Sequence, residues 1–234
     1  MKGELCVKGI VASGMVLQRN KINCIYGTAD VYEDVIMTFR GVTSITQADE
    51  QGYWKLEFSP GEAGGPFEMQ VKTEKETLTF TEVYVGEVWL LSGQSNAQLP
   101  MERMRFSYAE EFELPENPNI RMITIPIAWT FDGERDYVEN PQWICASPET
   151  LGQMSGTGYF FAKRLAFELG VPVGIINASQ GGSPIASWMS KKSLEEMGAE
   201  EYLSKLEYYE KVENIAEKQK EMSESNMAWN NELN

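Results

Sequence analysis

The spacing of apolar residues changes near residue 83, and this change limits the folds that the chain can adopt. Up to that point the sequence contains short runs of β-branched and aromatic residues, separated by segments rich in turn-forming residues. These runs cover residues 22–27, 35–41, 52–58, 67–72 and 77–85. From residue 83 the run VYVGEVWLLSG is apolar at nearly every position, which is typical of a strand buried on both faces in a parallel sheet. The sequence therefore predicts a small antiparallel β-sandwich over residues 1–82, followed by an α/β domain over residues 83–234.

The segment GYWKLEF, residues 52–58, has the strict alternation of a strand with one buried face. Its polar face carries Tyr53, Lys55 and Glu57, and its apolar face carries Trp54, Leu56 and Phe58. We expect the second set to form the centre of the sandwich core. We also expect the sandwich to pack against the α/β domain without supplying catalytic residues.

The second part of the chain has the order of elements found in a βαβ unit. Residues 119–129 and 171–179 are further candidate strands, and residues 155–170 form a candidate helix with Ser155 as N-cap and Gly170 as C-terminal stop. From about residue 194 the sequence becomes an acidic, lysine-rich helical stretch. Its mainly apolar positions, spaced by three and four, are Tyr202, Leu206, Tyr209, Val212, Ile215 and Gln219. This pattern predicts an amphipathic helix lying on a domain, with a lid or an inserted helical hairpin as the alternative.

Charge and composition exclude several classes of protein. The chain has 20 Lys and Arg residues against 35 Asp and Glu, a formal net charge of −15, so a nucleic-acid partner is not expected. Three widely spaced cysteines make neither a disulfide framework nor a metal clip, and a chain without histidine is poorly equipped for zinc, so we expect no metal site. No apolar stretch is long enough to span a membrane. The N-terminus lacks the apolar core of a signal peptide, which predicts a cytoplasmic protein if Met1 is the true start, or a secreted or periplasmic one whose leader has been removed.

Ser95 follows the buried strand directly, in the segment LLSGQSNAQLP at residues 90–100. In α/β enzymes catalytic groups are presented from the carboxyl ends of buried strands. Gln94 and Asn96 flank the serine, and their amides can donate hydrogen bonds to a ligand. Ser95 is therefore a candidate nucleophile, and Gln94 and Asn96 are candidate substrate-binding residues. The alternative is a serine that only stabilises a turn.

A second polar segment, NASQGGSPIASW at residues 177–188, follows the last predicted strand. Gly181 and Gly182 would allow backbone N–H groups to approach a ligand closely, as an oxyanion hole requires. The alternative is an ordinary glycine turn. Trp188 is a candidate for stacking on a sugar ring, although a tryptophan of this kind is more often a core residue.

Other nucleophile motifs are poorly supported. Ala97 stands where the second glycine of G-x-S-x-G belongs, so an α/β-hydrolase nucleophile elbow is not indicated. Cys145 is a second possible nucleophile, but it too lacks an imidazole partner, and the pattern favours a buried structural thiol.

Several segments together resemble the sialate O-acetylesterase family of the SGNH hydrolases. They are GMVLQR, GEVWLLSGQSN, WICASPET and GYFFAKRLAFELGVPVGIINASQGGSPIASW, and they extend over most of residues 14–192. The resemblance implies a flavodoxin-like α/β/α domain, often preceded by a β-sandwich, and an enzyme that removes acetyl groups from sugar hydroxyls without a cofactor. It also implies that Ser95 is the nucleophile, that its own N–H joins the oxyanion hole, and that Gly181, or else Gly182, supplies the second N–H.

Two departures from the family pattern bear on activity. The downstream Gly-x-Asn and Asp-x-x-His blocks are not found in the 234 residues, and Ala97 and Gln98 stand where a methionine and an acid are expected. We therefore expect the N-terminal portion of a longer esterase, inactive by itself. Its expected partners are an O-acetylated carbohydrate and the remaining part of the esterase, in cis or as a second chain. The alternative is a non-catalytic glycan-binding or scaffolding protein on the same fold.

Overall fold

The computed structural model describes residues 3–127 and 137–210, together with Lys220, Glu221 and Glu224. The chain divides into two compact units. The first comprises residues 1–126 and 136–182, and the second comprises residues 127–135 and 183–234. No helix among the described residues combines the length and the apolar character of a transmembrane span.

Eight strands form the first part of the chain. They are β1 (Cys6–Val7), β2 (Val16–Gln18), β3 (Asn23–Thr28), β4 (Asp34–Phe39), β5 (Val42–Gln47), β6 (Tyr53–Phe58), β7 (Gly64–Lys72) and β8 (Thr77–Leu91). A small antiparallel sheet has the order β1-β3-β6, and a larger sheet continues through β8, β7, β4 and β5, which are also antiparallel to one another. The predicted β-sandwich is therefore confirmed.

The sandwich core lies between these two sheets. The small sheet contributes Ile25 and the predicted apolar face of β6, namely Trp54, Leu56 and Phe58, all of which are buried. The larger sheet contributes buried residues from three strands, namely Val35, Met37, Phe39, Met69, Val71, Val83 and Val85. Strand β5 was not predicted, because its sequence VTSITQ is largely polar and lies at the outer end of the sheet, where no burial is required.

Strand β8 is fifteen residues long and belongs to both parts of the fold. Residues 77–85 pair with β7, residues 84–86 pair with β2, and residues 87–91 pair with β11 (Val173–Asn177). The predicted domain boundary between residues 82 and 83 thus falls inside a continuous strand. The division into two folding domains stays a prediction.

The remaining elements of the first unit complete an α/β arrangement. They are α1 (Ser95–Gln98), β9 (Asn117–Thr124), β10 (Trp143–Ala146), α2 (Gly156–Leu169) and β11, with short 3₁₀ helices at Met101–Met104, Ala109–Glu113 and Leu151–Gln153. The sheet order is β10-β9-β11-β8, and β9, β11 and β8 run parallel. The predicted ends of α2 are confirmed, since the Ser155 hydroxyl accepts a hydrogen bond from Gly158 N–H and Gly170 adopts a left-handed conformation. The predicted α/β class is also confirmed.

Two of the parallel strands, β9 and β11, are covered on both faces by different parts of the chain. On one face Met122 and Ile175 pack in a core with Tyr159 and Ala162 of α2. On the opposite face Ile123 belongs to the core of the β-sandwich. Residues 83–86 of the apolar run in β8 are buried as predicted, whereas Trp89 and Leu90 further along the same strand are exposed, so the prediction that the whole run is buried on both faces was wrong.

The second unit contains a 3₁₀ helix at Ile185–Trp188, α3 (Lys191–Glu196) and α4 (Glu200–Glu210). Leu194 of α3 is buried, whereas no residue of α4 is. The predicted helical stretch is thus two helices, separated at Gly198, whose φ is +65°. Its continuation through Val212, Ile215 and Gln219 lies outside the described residues.

Candidate active site

Ser95 is the first residue of α1, four residues after the end of β8. The chain turns between the strand and the helix at Gly93, whose φ of +138° is a conformation that residues with side chains rarely adopt. Gln94, Ser95 and Asn96 are all exposed. The structure therefore presents the predicted nucleophile at the carboxyl end of a parallel strand, as the sequence predicted, although residues 87–91 of that strand are half-buried or exposed.

The segment after β11 runs alongside the segment after β8. The two strands are neighbours, with Leu91 opposite Asn177 in the register. Beyond the strands, Ala178 N–H donates to the Leu91 carbonyl at 2.8 Å and Gln180 N–H donates to the Gly93 carbonyl at 2.9 Å. Because these bonds continue the pairing past the sheet, they bring the glycine pair at 181 and 182 to the loop that carries Ser95.

Gly181 is the glycine that lies beside Ser95. A Cβ atom placed on Gly181 would lie 3.7 Å from Ser95 Cα, 3.8 Å from Ser95 Cβ and only 2.7 Å from Gln98 Oε1. The same Oε1 accepts a hydrogen bond from Gly181 N–H at 2.7 Å. A side chain at residue 181 would therefore displace the end of the Gln98 side chain and would lie in van der Waals contact with Ser95.

Gly182 is placed differently from Gly181. It is exposed, its φ is +78°, and no atom lies within 4 Å of a Cβ added there. Gly182 therefore contributes a backbone conformation that the turn requires, and it makes no close contact with Ser95.

The two residues that flank Ser95 have different roles in the structure. The Ser95 hydroxyl donates a hydrogen bond to Gln94 Oε1 at 2.9 Å. Since a carboxamide oxygen is not a base at neutral pH, this bond orients the hydroxyl but does not activate it. The Asn96 carbonyl accepts a hydrogen bond from the Thr157 hydroxyl at 3.2 Å, and the Asn96 side chain is exposed.

The N-terminus of α2 holds α1 in place. The Ser155 hydroxyl accepts from Gly158 N–H at 3.1 Å and donates to the Ala97 carbonyl at 2.6 Å, and this serine is only 1% exposed. Gly156 N–H donates to the Leu99 carbonyl at 2.9 Å. The sequence predicted Ser155 only as an N-cap, because nothing in its local pattern indicates the second bond, which joins residues 58 positions apart.

The sequence pattern indicates no role for Gln98 beyond its place where an acid is expected. A signal was available, because Gln98 lies three positions after Ser95 and residues with that spacing share a helix face. The spacing alone does not show that its side chain reaches Gly181, since that contact depends on the position of the loop after β11.

Trp188 ends the 3₁₀ helix of the second unit, where its indole N–H donates to the Ser183 hydroxyl at 3.0 Å. Its side chain is 40% exposed, so it is not a core residue within that unit. Stacking of Trp188 on a sugar stays a prediction.

Cys145, the other nucleophile considered, lies in β10. Partial burial and the negative charge of Glu116 raise the pKa of its thiol, and the opposing effect of Arg121 does not cancel them. The thiol is therefore protonated at neutral pH and poorly suited to nucleophilic attack. Among the described residues no group of three or more acidic, histidine or cysteine side chains is arranged to hold a metal ion.

Comparison with known protein families gives one match that covers more than half of the chain. Residues 85–229 match the family described as carbohydrate esterase, sialic acid-specific acetylesterase. The matched region begins in β8 and includes Ser95 and both glycines.

Individual relatives have similar descriptions. The chain is 30% identical to human sialate O-acetylesterase over 207 residues, which cover 80% of this chain and 39% of the human protein. It is 28% identical to the mouse sialate O-acetylesterase over 167 residues, covering 67% of this chain and 30% of the mouse protein. The chain thus spans well under half the length of these relatives.

A solved structure is similar as well. A carbohydrate acetylesterase from Xanthomonas citri superposes with a TM-score of 0.76 at 31% identity, over 81% of this chain and 43% of the bacterial chain. An alignment over 81% of the 234 residues is longer than either region alone, so the similarity extends into both the β-sandwich and the α/β region.

Proposed function

Since the chain belongs to the carbohydrate esterase family of sialic acid-specific acetylesterases, we propose that it supplies the nucleophile of an enzyme that removes acetyl groups from sugar hydroxyls. One observation carries the proposal. Ser95 and the backbone of Gly181 are neighbours, although 86 positions separate them in the sequence, and both lie where adjacent parallel strands end. A nucleophilic hydroxyl beside a backbone N–H is the arrangement that acyl transfer requires.

In the proposed reaction Ser95 Oγ bonds to the acetyl carbon while a base accepts the hydroxyl proton. The carbonyl electron pair moves onto its oxygen, and the N–H groups of Ser95 and Gly181 would stabilise that negative charge. Each such donor contributes roughly 3–4 kcal/mol in enzymes where it has been removed. The intermediate then expels the sugar oxygen, which takes the proton from the base. Water releases acetate from acetyl-Ser95 by the same two steps.

The base is proposed to come from sequence outside the 234 residues. These residues contain no histidine, and an unperturbed carboxylate has a pKa of about 4, too low for efficient proton transfer near pH 7. A histidine oriented by an aspartate would activate Ser95 and protonate the leaving sugar hydroxyl.

The exposed apolar side chains at the end of β8 favour an additional packing partner in the complete protein. Among the described residues, no strand pairs with the second edge of β8 between Glu87 and Leu91. Trp89 and Leu90 on that stretch are 46% and 67% exposed, unusually high for large apolar side chains in a parallel strand. We propose that the remaining part of the esterase, in cis or as a second chain, covers this stretch.

Substitution of the nucleophile is the direct test. In the complete protein, Ser95→Ala is expected to lower kcat/KM for acetate release from O-acetylated sugars by roughly 10³-fold or more, since serine and base act as a unit. Ser92→Ala, which changes an exposed serine three residues earlier, should retain activity. Wild-type rates in Ser95→Ala would exclude Ser95 as the nucleophile.

The 234-residue chain by itself should hydrolyse p-nitrophenyl acetate at or near the background rate. General-base assistance is worth roughly 10²–10⁴-fold, and this chain has no imidazole to provide it. Addition of the downstream segment, in cis or as a separate chain, should restore the activity. A Ser95-dependent burst at enzyme-like rates from the isolated chain would show that the base lies within it.

A second candidate function is non-catalytic glycan binding or scaffolding on the same fold. The lack of histidine in the 234 residues favours it. A complete gene product that also lacks an Asp-x-x-His block and binds glycans without releasing acetate would establish this alternative.

A further inference from the structure

The oxygen that Gly181 N–H binds in this structure belongs to the enzyme itself. We propose that Gln98 Oε1 occupies the position of the substrate oxyanion in the substrate-free site, and that an incoming acetyl ester must displace it. Gln98 would then be a positioning residue that determines how readily the site accepts an ester. This inference rests on the proposed function of Ser95 and Gly181.

The distance from Gly181 N–H to Gln98 Oε1 is that expected between one oxyanion-hole donor and its oxygen. Oxyanion-hole donors lie about 2.7–3.1 Å from the oxygen that they stabilise. Gly181 N–H reaches Gln98 Oε1 at 2.7 Å, and a Cβ placed on Gly181 would lie 3.8 Å from Ser95 Cβ. A carboxamide oxygen carries partial negative charge, so it can take the place of the oxyanion without the full charge of the transition state.

Gln98 is able to leave this position. It is the last residue of α1, and its side chain is half-buried rather than enclosed. The backbone of α1 is held independently of that side chain, through the bond from the Ser155 hydroxyl to the Ala97 carbonyl and the bond from Leu99 N–H to the Ser95 carbonyl. Rotation of the Gln98 side chain would therefore free the Gly181 N–H without moving Ser95.

A purely structural role for the contact is less consistent with the surrounding hydrogen bonds. The segment before Gly181 is already held by bonds from Ala178 N–H to Leu91 and from Gln180 N–H to Gly93. The Asn177 side chain also accepts from the backbone N–H and the hydroxyl of Ser179. Loss of the Gln98 side chain thus leaves the turn attached to the β8 loop.

Two substitutions at residue 98 of the complete protein test the proposal in opposite directions. Gln98→Ala removes the acceptor that competes with the ester for Gly181 N–H. The KM for an acetyl ester should therefore fall roughly fivefold at unchanged kcat, because loss of one neutral hydrogen bond changes an affinity by about this factor. Gln98→Glu introduces a stronger, charge-assisted acceptor, and KM should rise by roughly the same factor. Gln51→Ala and Gln51→Glu, at an exposed turn, are matched controls that should leave both constants unchanged.

Hydrogen exchange at the Gly181 amide provides a measurement that does not depend on activity. Exchange should be several-fold faster in Gln98→Ala than in the wild type, and unaffected by Gln51→Ala. A fall in kcat, or a rise in KM, for Gln98→Ala in an enzyme whose activity requires Ser95 would overturn this inference and leave the proposed function standing. Activity that does not depend on Ser95 would overturn both, whereas unchanged exchange at Gly181 would contradict the contact with Gln98 and so overturn this inference alone.

Discussion

The sandwich region, residues 3–85, and the α/β region, residues 86–182, bury their apolar surface in different ways. The sandwich region closes its core between its own two sheets, around side chains such as Trp54 and Met69. The α/β region packs one face of its sheet on α2 and the other on the sandwich core, to which it contributes Ile123 and Trp143. The sandwich is thus a structural part of the α/β fold and supplies one of its two covering layers.

The candidate site is more exposed than either of the two cores. None of the four residues of α1 is buried, and the site is positioned by hydrogen bonds from α2 and from the loop after β11. Reactive groups must be accessible, so they lie on loops held by a rigid scaffold. The residues that stabilise the fold are therefore different from the residues of the candidate site, which follow the ends of the strands.

The largest expected effect tests whether the two regions unfold together. Trp54→Ala in the sandwich and Met122→Ala in the α/β region should each lower the free energy of unfolding by about 3–4 kcal/mol, because both side chains are buried. Since β8 belongs to both regions, urea unfolding followed by circular dichroism and by tryptophan fluorescence should give one coincident transition for each variant.

Trp54→Phe is the matched control for the sandwich. It keeps an aromatic ring in the core and removes an indole N–H that has no hydrogen-bond partner among the described residues, so its cost should be much smaller. Two separate transitions, with only the first shifted by Trp54→Ala, would show that residues 1–82 form an independent domain.

An intermediate effect is expected where α2 holds the site. Ser155→Ala removes the N-cap of α2 and leaves both the Gly158 N–H and the Ala97 carbonyl without their bonds, at a cost of about 2 kcal/mol. Thermal unfolding measures this loss. Ser190→Ala removes the corresponding cap of α3, which is exposed, and should cost less. Equal losses from the two variants would contradict a special role for Ser155.

The smallest expected effect concerns the polar cluster that Glu111 forms with Tyr159 and Lys163 of α2. Burial raises the pKa of the Glu111 carboxyl, but hydrogen bonds from Lys163 and Tyr159 and the charge of Lys163 outweigh it, so the pKa lies below its usual value of 4.5. A carboxyl whose pKa is lowered by folding stabilises the protein above its unfolded pKa, and that contribution is lost as the pH falls through the folded pKa.

Glu111→Gln should therefore destabilise the protein by about 1 kcal/mol at pH 7, a modest value because Lys163 is partly exposed. The difference from the wild type should shrink as the pH falls below 4.5, and urea unfolding at both ends of this range measures it. Glu110→Gln removes the same charge from an exposed position and should change the free energy of unfolding little at pH 7. A difference that grows on acidification would contradict the sign of the pKa shift.

Local patterns in the sequence were sufficient to predict several parts of this structure. The alternation in residues 52–58 predicted the buried face of β6, and Ser155 and Gly170 predicted the ends of α2. The position of Ser95 after an apolar strand was also readable from the sequence. Each of these features depends on residues that are close together in the chain, where side-chain spacing and backbone geometry determine the outcome.

Other features were decided only by the tertiary structure. That β8 continues through both regions depends on its successive partners β7, β2 and β11, which come from distant parts of the chain. The position of Gly181 rather than Gly182 beside Ser95, and the contact of Gln98 with Gly181, depend on how the loops after β8 and β11 meet. The sequence by itself determined which groups with useful chemistry follow each strand, because strand burial and turn residues are local. Only the pairing of non-adjacent strands decided which of those groups touch, since that pairing fixes distances between residues that no local pattern relates.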